Sequence, residues 1–110
     1  MSDDRDEIAA EFHRAVNMTV RELEHWLTTE ESKSAGQKAD GASESTGHES
    51  GRRIVELLHR GKSDWGDDDY AHMRKVIGYV HRHLAQRPSG DVRETRWRYS
   101  LMNWGHDPLK

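Results

Sequence analysis

The chain offers three sets of side chains whose types and spacing could do chemistry: eight histidines, a Gly61-Lys62-Ser63 triplet, and basic residues interleaved with aromatics in the second half. His81 and His83 stand two apart, which on a helix turns them about 200° from each other, so they cannot hold one ion. His72 and His83 share a face but lie three turns apart; His81 borders the apolar face and reads as a hydrogen-bonded boundary residue, and His83 reads as solvent-facing. No pair shows the i, i+4 spacing with a carboxylate that helical zinc sites use. Gly61-Lys62-Ser63 lacks the glycine five residues upstream that a phosphate loop requires, since position 56 is Glu, and it follows a helical pattern, not a strand. Asp67-Asp68-Asp69 lacks calcium-loop spacing and is explained by a helix start. No stretch forms a nucleophile elbow. These spacings predict no enzyme, no cofactor and no metal.

The basic and aromatic residues remain. Lys75, Arg82 and Gln86 line one side of a predicted helix, with Tyr79 and His83 beside them, and Arg96, Tyr99 and Asn103 share a face of another, with Arg98 adjacent. Arg52 and Arg53 open a third helix. Arginine and lysine hold phosphates, arginine and asparagine read base edges, and aromatic rings stack. The expected nucleic-acid set is therefore Arg52, Arg53, Lys75, Tyr79, Arg82, Arg96, Arg98, Tyr99 and Asn103, with Tyr99 and Asn103 approaching bases. The bland alternative pairs Arg96 and Arg98 with acids of the N-terminal half and packs Tyr99 on a neighbour.

Stepping outward to the elements that position them, the strongest signal is Asp67 to Arg87. Tyr70, Met73, Val76, Ile77, Val80 and Leu84 fall within an arc of roughly 120°. The three aspartates supply a cap and negative charge at its start, and Pro88 and Gly90 stop it. Asp4 to Asn17 forms a helix with a stripe of Ile8, Phe12, Ala15 and Val16. Thr19-Val20-Arg21-Glu22 is a capping box that opens a helix bearing Leu23, Trp26 and Leu27. Glu49 to Arg60 is helical and apolar over a wide face, so it is placed with the long helix at the centre. Trp65 tucks under as a lid. Asp91 to Trp104, capped by Asp91 with Glu94, carries Trp97, Leu101 and Trp104 on its apolar edge, and Gly105 stops it. Residues 29–48 are rich in Gly and Ser, with nothing apolar beyond alanine, and read as a long mobile surface loop.

No strand-length alternation occurs. The expectation is one all-α domain over 1–110, a small bundle of about five helices with that loop. A net charge of −3 conceals a split: residues 1–50 carry 5 Lys+Arg against 12 Asp+Glu, and residues 51–110 carry 12 against 8. Such asymmetry marks either an anion-binding half or two faces that attract each other within the fold. Absence of cysteine suits a reducing interior. No run approaches the roughly 20 apolar residues of a membrane span, and the acidic start is unlike a signal peptide. A cytoplasmic location without a membrane is expected.

The segments NMTVRELEHWL, SESTGHESGRRIVELL, DDDYAHMRKVIGYVHRHLAQRP and TRWRYSLMNWGHDPLK, in this order, resemble a family of short bacterial and fungal proteins, a domain of unknown function whose members commonly carry the label "DNA-binding protein". Thr19-Val20-Arg21-Glu22-Leu23 also faintly resembles the first helix of SAP-type DNA-binding modules. The resemblance implies a DNA partner and supplies no binding residues. The combined expectation is a small DNA-binding or nucleoid-associated accessory protein whose partner is double-stranded DNA. The alternative is a protein-interaction or stress-related structural module whose basic half docks an acidic partner or another copy.

Overall fold

The computed structural model describes residues 3–35 and 46–110. Among them there are six α-helices and no strand: α1 Asp3–Ala15, α2 Val20–Trp26, α3 Glu30–Ala35, α4 Thr46–His59, α5 Asp67–Leu84 and α6 Arg96–Asn103, with a 3-10 turn at Lys62–Asp64. The all-α class is as expected.

Local chemistry accounts for most helix ends. The Thr19 box forms as its spacing predicts: the Glu22 amide donates to Thr19 Oγ1 at 3.1 Å and the Thr19 amide donates to Glu22 Oε1 at 2.8 Å. At the head of α5 the cap is Gly66, and the aspartates act from inside the helix. Asp69 accepts from the Gly66 amide at 2.9 Å and from both terminal nitrogens of Arg60 at 3.2 and 3.0 Å. The Arg60 guanidinium, with that amide, holds the Asp69 carboxyl below its ordinary range. Gly105 closes α6 with a φ of +80°, a conformation glycine adopts without a Cβ penalty.

The last helix and the 29–48 stretch differ from expectation. The last helix begins at Arg96, not Asp91. Asp91 spends its carboxylate on the Arg93 amide and guanidinium, and Thr95 becomes the cap, accepting from the Arg98 amide at 3.3 Å and donating to the Val92 carbonyl at 2.8 Å. The expected loop over 29–48 is helical at both ends, as α3 and the first residues of α4, while 36–45 lie outside the described residues. Thr29 Oγ1 accepts from the Ser32 amide, which starts α3 without any apolar pattern.

In the packing, α5 lies chiefly against α1, and α4 against α2 and α6, so the expected central pair of α4 and α5 is not the main contact. Phe12 meets Trp65 edge-on at 6.3 Å and Trp65 meets Tyr70 edge-on at 6.0 Å. Trp65 donates its indole N–H to the Leu57 carbonyl at 3.1 Å, the lid expected of it. Lys62–Asp6, Lys110–Glu22 and His59–Glu24 join the two charge halves within one chain. Being exposed, each contributes little to stability.

The end of α6 is tied down by Asn103, fully buried at 0 % exposure. Its Oδ1 accepts from Trp26 Nε1 at 2.8 Å and from Ser32 Oγ, and its Nδ2 donates to the Ser32 carbonyl at 3.0 Å. One amide thus joins α2, α3 and α6. Helix α4 closes on it through glycine: a Cβ on Gly51 would stand 2.5 Å from the Asn103 carbonyl oxygen and 2.7 Å from Leu27 Cδ2. Gly51→Ala is expected to destabilise by about 2 kcal/mol or more, because a backbone carbonyl cannot step aside. Gly61→Ala, with nothing within 4 Å of the new Cβ, is expected to stay within about 1 kcal/mol of the parent. Urea midpoints for the two variants check the contrast.

Candidate anion-binding cleft

Where α6 crosses α5, five rings interleave in one column. His72, Tyr79 and His83 come from α5, and Trp97 and Trp104 from α6 and its C-terminal cap. His72 lies over Trp104 at 6.3 Å, Trp104 over Tyr79 at 4.2 Å, Tyr79 over His83 at 5.0 Å, and His83 over Trp97 at 6.4 Å. Every neighbouring pair is within 16° of parallel. The Arg87 guanidinium covers Trp97 at 5.4 Å. Seven-residue spacing on both helices, 72 to 79 and 97 to 104, presents the rings on matching faces two turns apart.

Beside this column opens a cavity of about 760 Å³. Lys75, Tyr79, Arg82 and His83 line it from α5, and Arg96, Trp97, Ser100 and Trp104 from the α6 side. The end of α3 at Ala35 and the start of α4 at Thr46 and Gly47 complete the wall. Lys75, Arg82 and Arg96 are exposed at its rim, and among the described residues no carboxylate lines it. Arg96 Nε donates to the Ala35 carbonyl at 3.0 Å, and Ser100 Oγ donates to the same oxygen at 3.3 Å. The bond fixes the guanidinium by its inner nitrogen.

The expected nucleic-acid residues divide accordingly. Lys75, Tyr79, Arg82 and Arg96 meet at the cavity. Arg98 does not: it donates Nε and a terminal nitrogen to Asp107 at 3.2 and 3.1 Å and another to the Arg93 carbonyl at 2.9 Å, on a half-buried flank. Tyr99 is half-buried against Trp26, with ring centroids 5.4 Å apart. Asn103 is at the cavity wall but has no solvent exposure, and its amide is bonded to Trp26 and Ser32, so its expected approach to bases is overturned by burial. Arg52 and Arg53 are exposed on α4, outside the cavity lining, and Arg53 donates to the Asp68 carbonyl at 3.3 Å. The bland pairing of Arg96 and Arg98 with N-terminal acids also fails: their partners are a backbone carbonyl and Asp107.

Sequence reasoning missed Trp97, Trp104, His83 and Ser100 as site residues. It also placed His83 in solvent and His81 at the core boundary, and the structure reverses them. His83 is half-buried in the ring column, and its Nε2 is buried without a hydrogen-bond partner. The signal that could have found these residues is the matched aromatic spacing on the two helices.

Burial sets the protonation states. Burial first, then the charges of Arg53 and Lys75, pushes His72 down to about 4, and its ring hydrogen-bonds Ser50 Oγ at 3.0 Å. Burial also lowers His83 and raises Tyr79, the latter against a hydrogen bond with Ser100. The Ser50–His72 contact is sequestered, since Ser50 is buried and lines no part of the cavity. Among the described residues no group of three or more His, Cys, Asp or Glu could hold a metal, and no helix is long and apolar enough to cross a membrane. The arrangement can attract and orient an anion, with donors converging from two helices.

A family model described as "Protein of unknown function (DUF3140)" matches residues 11–102, in line with the resemblance drawn from the segments. No curated protein and no solved structure matches the chain.

His72 generates a pH prediction. Unfolded, its imidazole titrates near the ordinary 6.5, and folded near about 4. Between those values the unfolded chain binds a proton that the folded chain refuses, so stability is complete above 6.5 and drains as pH falls toward 4. NMR titration of the His72 ring is expected to give a midpoint near 4, with urea midpoints declining over the same window.

Proposed function

The chain belongs to the DUF3140 family of proteins of unknown function, and we propose that it is a cytosolic nucleic-acid accessory protein that holds phosphates at the α5–α6 cleft without reading bases. The observation that carries the reading is that Lys75, Arg82 and Arg96 line one cavity to which no carboxylate contributes among the described residues, in a chain where acids outnumber bases by 20 to 17. Such a site concentrates positive potential in a molecule that elsewhere balances its charge.

The mode of binding follows from what is already occupied. Tyr99, Arg98 and Asn103 are packed or paired, so α6 has no face of free polar side chains to lay in a major groove. Rings stack on each other, and Arg87 covers Trp97. Phosphate contact is what remains, and it gives sequence-independent, salt-sensitive binding. The alternative in which the acidic half docks on the basic half of another copy is disfavoured by the ion pairs that already join them within one chain. No catalytic step is part of this reading.

A fluorescently labelled single-stranded oligonucleotide at low salt is expected to bind with little dependence on base sequence. Three cations engaging three phosphates give a slope of log affinity against log salt of roughly −2. Arg82→Glu with Arg96→Glu is expected to abolish binding while circular dichroism reports an unchanged fold, and Lys75→Glu is expected to weaken it. Absence of binding by the parent protein at low salt, or binding indifferent to these changes, would refute the reading.

A further inference from the structure

Holding phosphate makes no use of the ring column. We infer that the column is a one-electron relay, in which an oxidising equivalent taken by Trp97 or Trp104 passes to Tyr79. This activity is independent of what the rim cations hold. Tryptophan and tyrosine yield to one-electron oxidants most readily in a chain without cysteine. Among the described residues three Trp–Tyr pairs are in ring contact. Trp65 meets Tyr70 edge-on at 84°, and Trp26 meets Tyr99 at a tilt of 40°. Trp104 and Tyr79 are parallel to within 12° at 4.2 Å, so this pair has its π faces in contact. His83 follows Tyr79 at 5.0 Å and Trp97 follows His83 at 6.4 Å, again near parallel. The two indoles therefore flank one phenol in a single stack.

Access comes from the cavity. Trp97 and Trp104 are only 8 % and 4 % exposed, yet both line it, as do Tyr79 and His83. A small oxidant reaches the rings there. Lys75, Arg82 and Arg96 draw anions to the same opening, which favours an anionic radical such as the carbonate radical. The oxidant takes one electron from an indole and is reduced to its closed-shell anion, carbonate in that case. The indole is left as a radical cation.

The proton positions give the relay its direction. Trp97 donates its indole N–H to the His83 carbonyl at 2.6 Å. A carbonyl oxygen is too weak a base to take that proton, so the radical cation keeps it and stays strongly oxidising. Tyr79 is placed to lose a proton. Burial keeps its phenol protonated at neutral pH, and its hydroxyl is hydrogen-bonded to Ser100. Ser100 Oγ directs its own proton to the Ala35 carbonyl at 3.3 Å, which leaves the phenol to donate. One electron moves from Tyr79 to the indole, the phenol O–H bond breaks, and the proton leaves past Ser100 to solvent in the cavity. The indole is restored and a neutral phenoxyl radical remains at the cavity wall. There a small hydrogen-atom donor of the thiol class returns it to tyrosine and becomes a thiyl radical.

The test uses the full chain, with no oligonucleotide present, and azide radical made by pulse radiolysis, which oxidises indoles ahead of phenols. Transient absorption is expected to show the indole radical decaying as phenoxyl absorbance rises, at a first-order rate unchanged by protein concentration. Tyr79→Phe keeps a ring in the stack and removes the phenol. It is expected to abolish most of the phenoxyl rise and to prolong the indole radical, with circular dichroism unchanged. Tyr70→Phe and Tyr99→Phe remove the phenols of the edge-on and tilted pairs, and are expected to leave both signals close to those of the parent. A phenoxyl rise that survives Tyr79→Phe would overturn the relay. So would a rise lost equally on Tyr70→Phe or Tyr99→Phe, or one whose rate scales with protein concentration, since the electron would then travel between molecules.

Discussion

A buried amide governs the molecule's architecture. Asn103 has no contact with solvent, and each of its polar atoms finds a partner on another helix: Trp26 on α2 and Ser32 on α3. A buried amide left unpaired costs about 1–3 kcal/mol per group, so the three helices are held to one relative placement rather than a family of them. Helix α4 accepts that placement only because Gly47 and Gly51 present no side chain to the Asn103–Trp104 segment. With α6 fixed this way, Trp97 and Trp104 fall on the same face of α5, and the ring column and the cleft beside it follow.

Features that depend on local chemistry or on apolar periodicity were legible in the sequence. The Thr19–Glu22 box, the apolar face of α5, the Trp65 lid and the Gly105 stop all form where residue spacing places them. Features that depend on a partner far along the chain were not. Helix α3 has no apolar stripe, because Ser32 faces inward to meet Asn103 some seventy residues away. The first residues of α4, Thr46, Gly47 and His48, looked like loop because none is apolar, and Gly47 there signifies close approach to Trp104 and Asn103. At Asp91, two capping candidates competed, and the one whose carboxylate had an arginine two residues away lost.

The same distinction applies to the candidate site. A helical wheel grouped Lys75, Tyr79 and Arg82 with Gln86; one helix positions the first three at the cavity, and Gln86 is not among its lining residues. It could not say that Arg96 would join them while Arg98, two residues on, would turn away to Asp107. Nor could it separate His81 from His83, because that depends on which side of α5 receives α6. Asparagine 103 was grouped with the surface-facing residues by type, as polar residues usually are, and its burial depends on Ser32 and Trp26 being there to satisfy it.

The central claim is that the convergence of Lys75, Arg82 and Arg96 makes the α5–α6 cleft the place where an anionic strand is held. Backbone amide shifts followed by NMR while a short phosphorylated oligonucleotide is added locate that place directly. The account predicts the largest changes at Lys75, Tyr79, Arg82, Arg96 and Ser100, with the Trp97 and Trp104 indole signals moving alongside them. Changes confined to Arg52 and Arg53 on α4, or to α1, with the cleft signals unmoved, would contradict it.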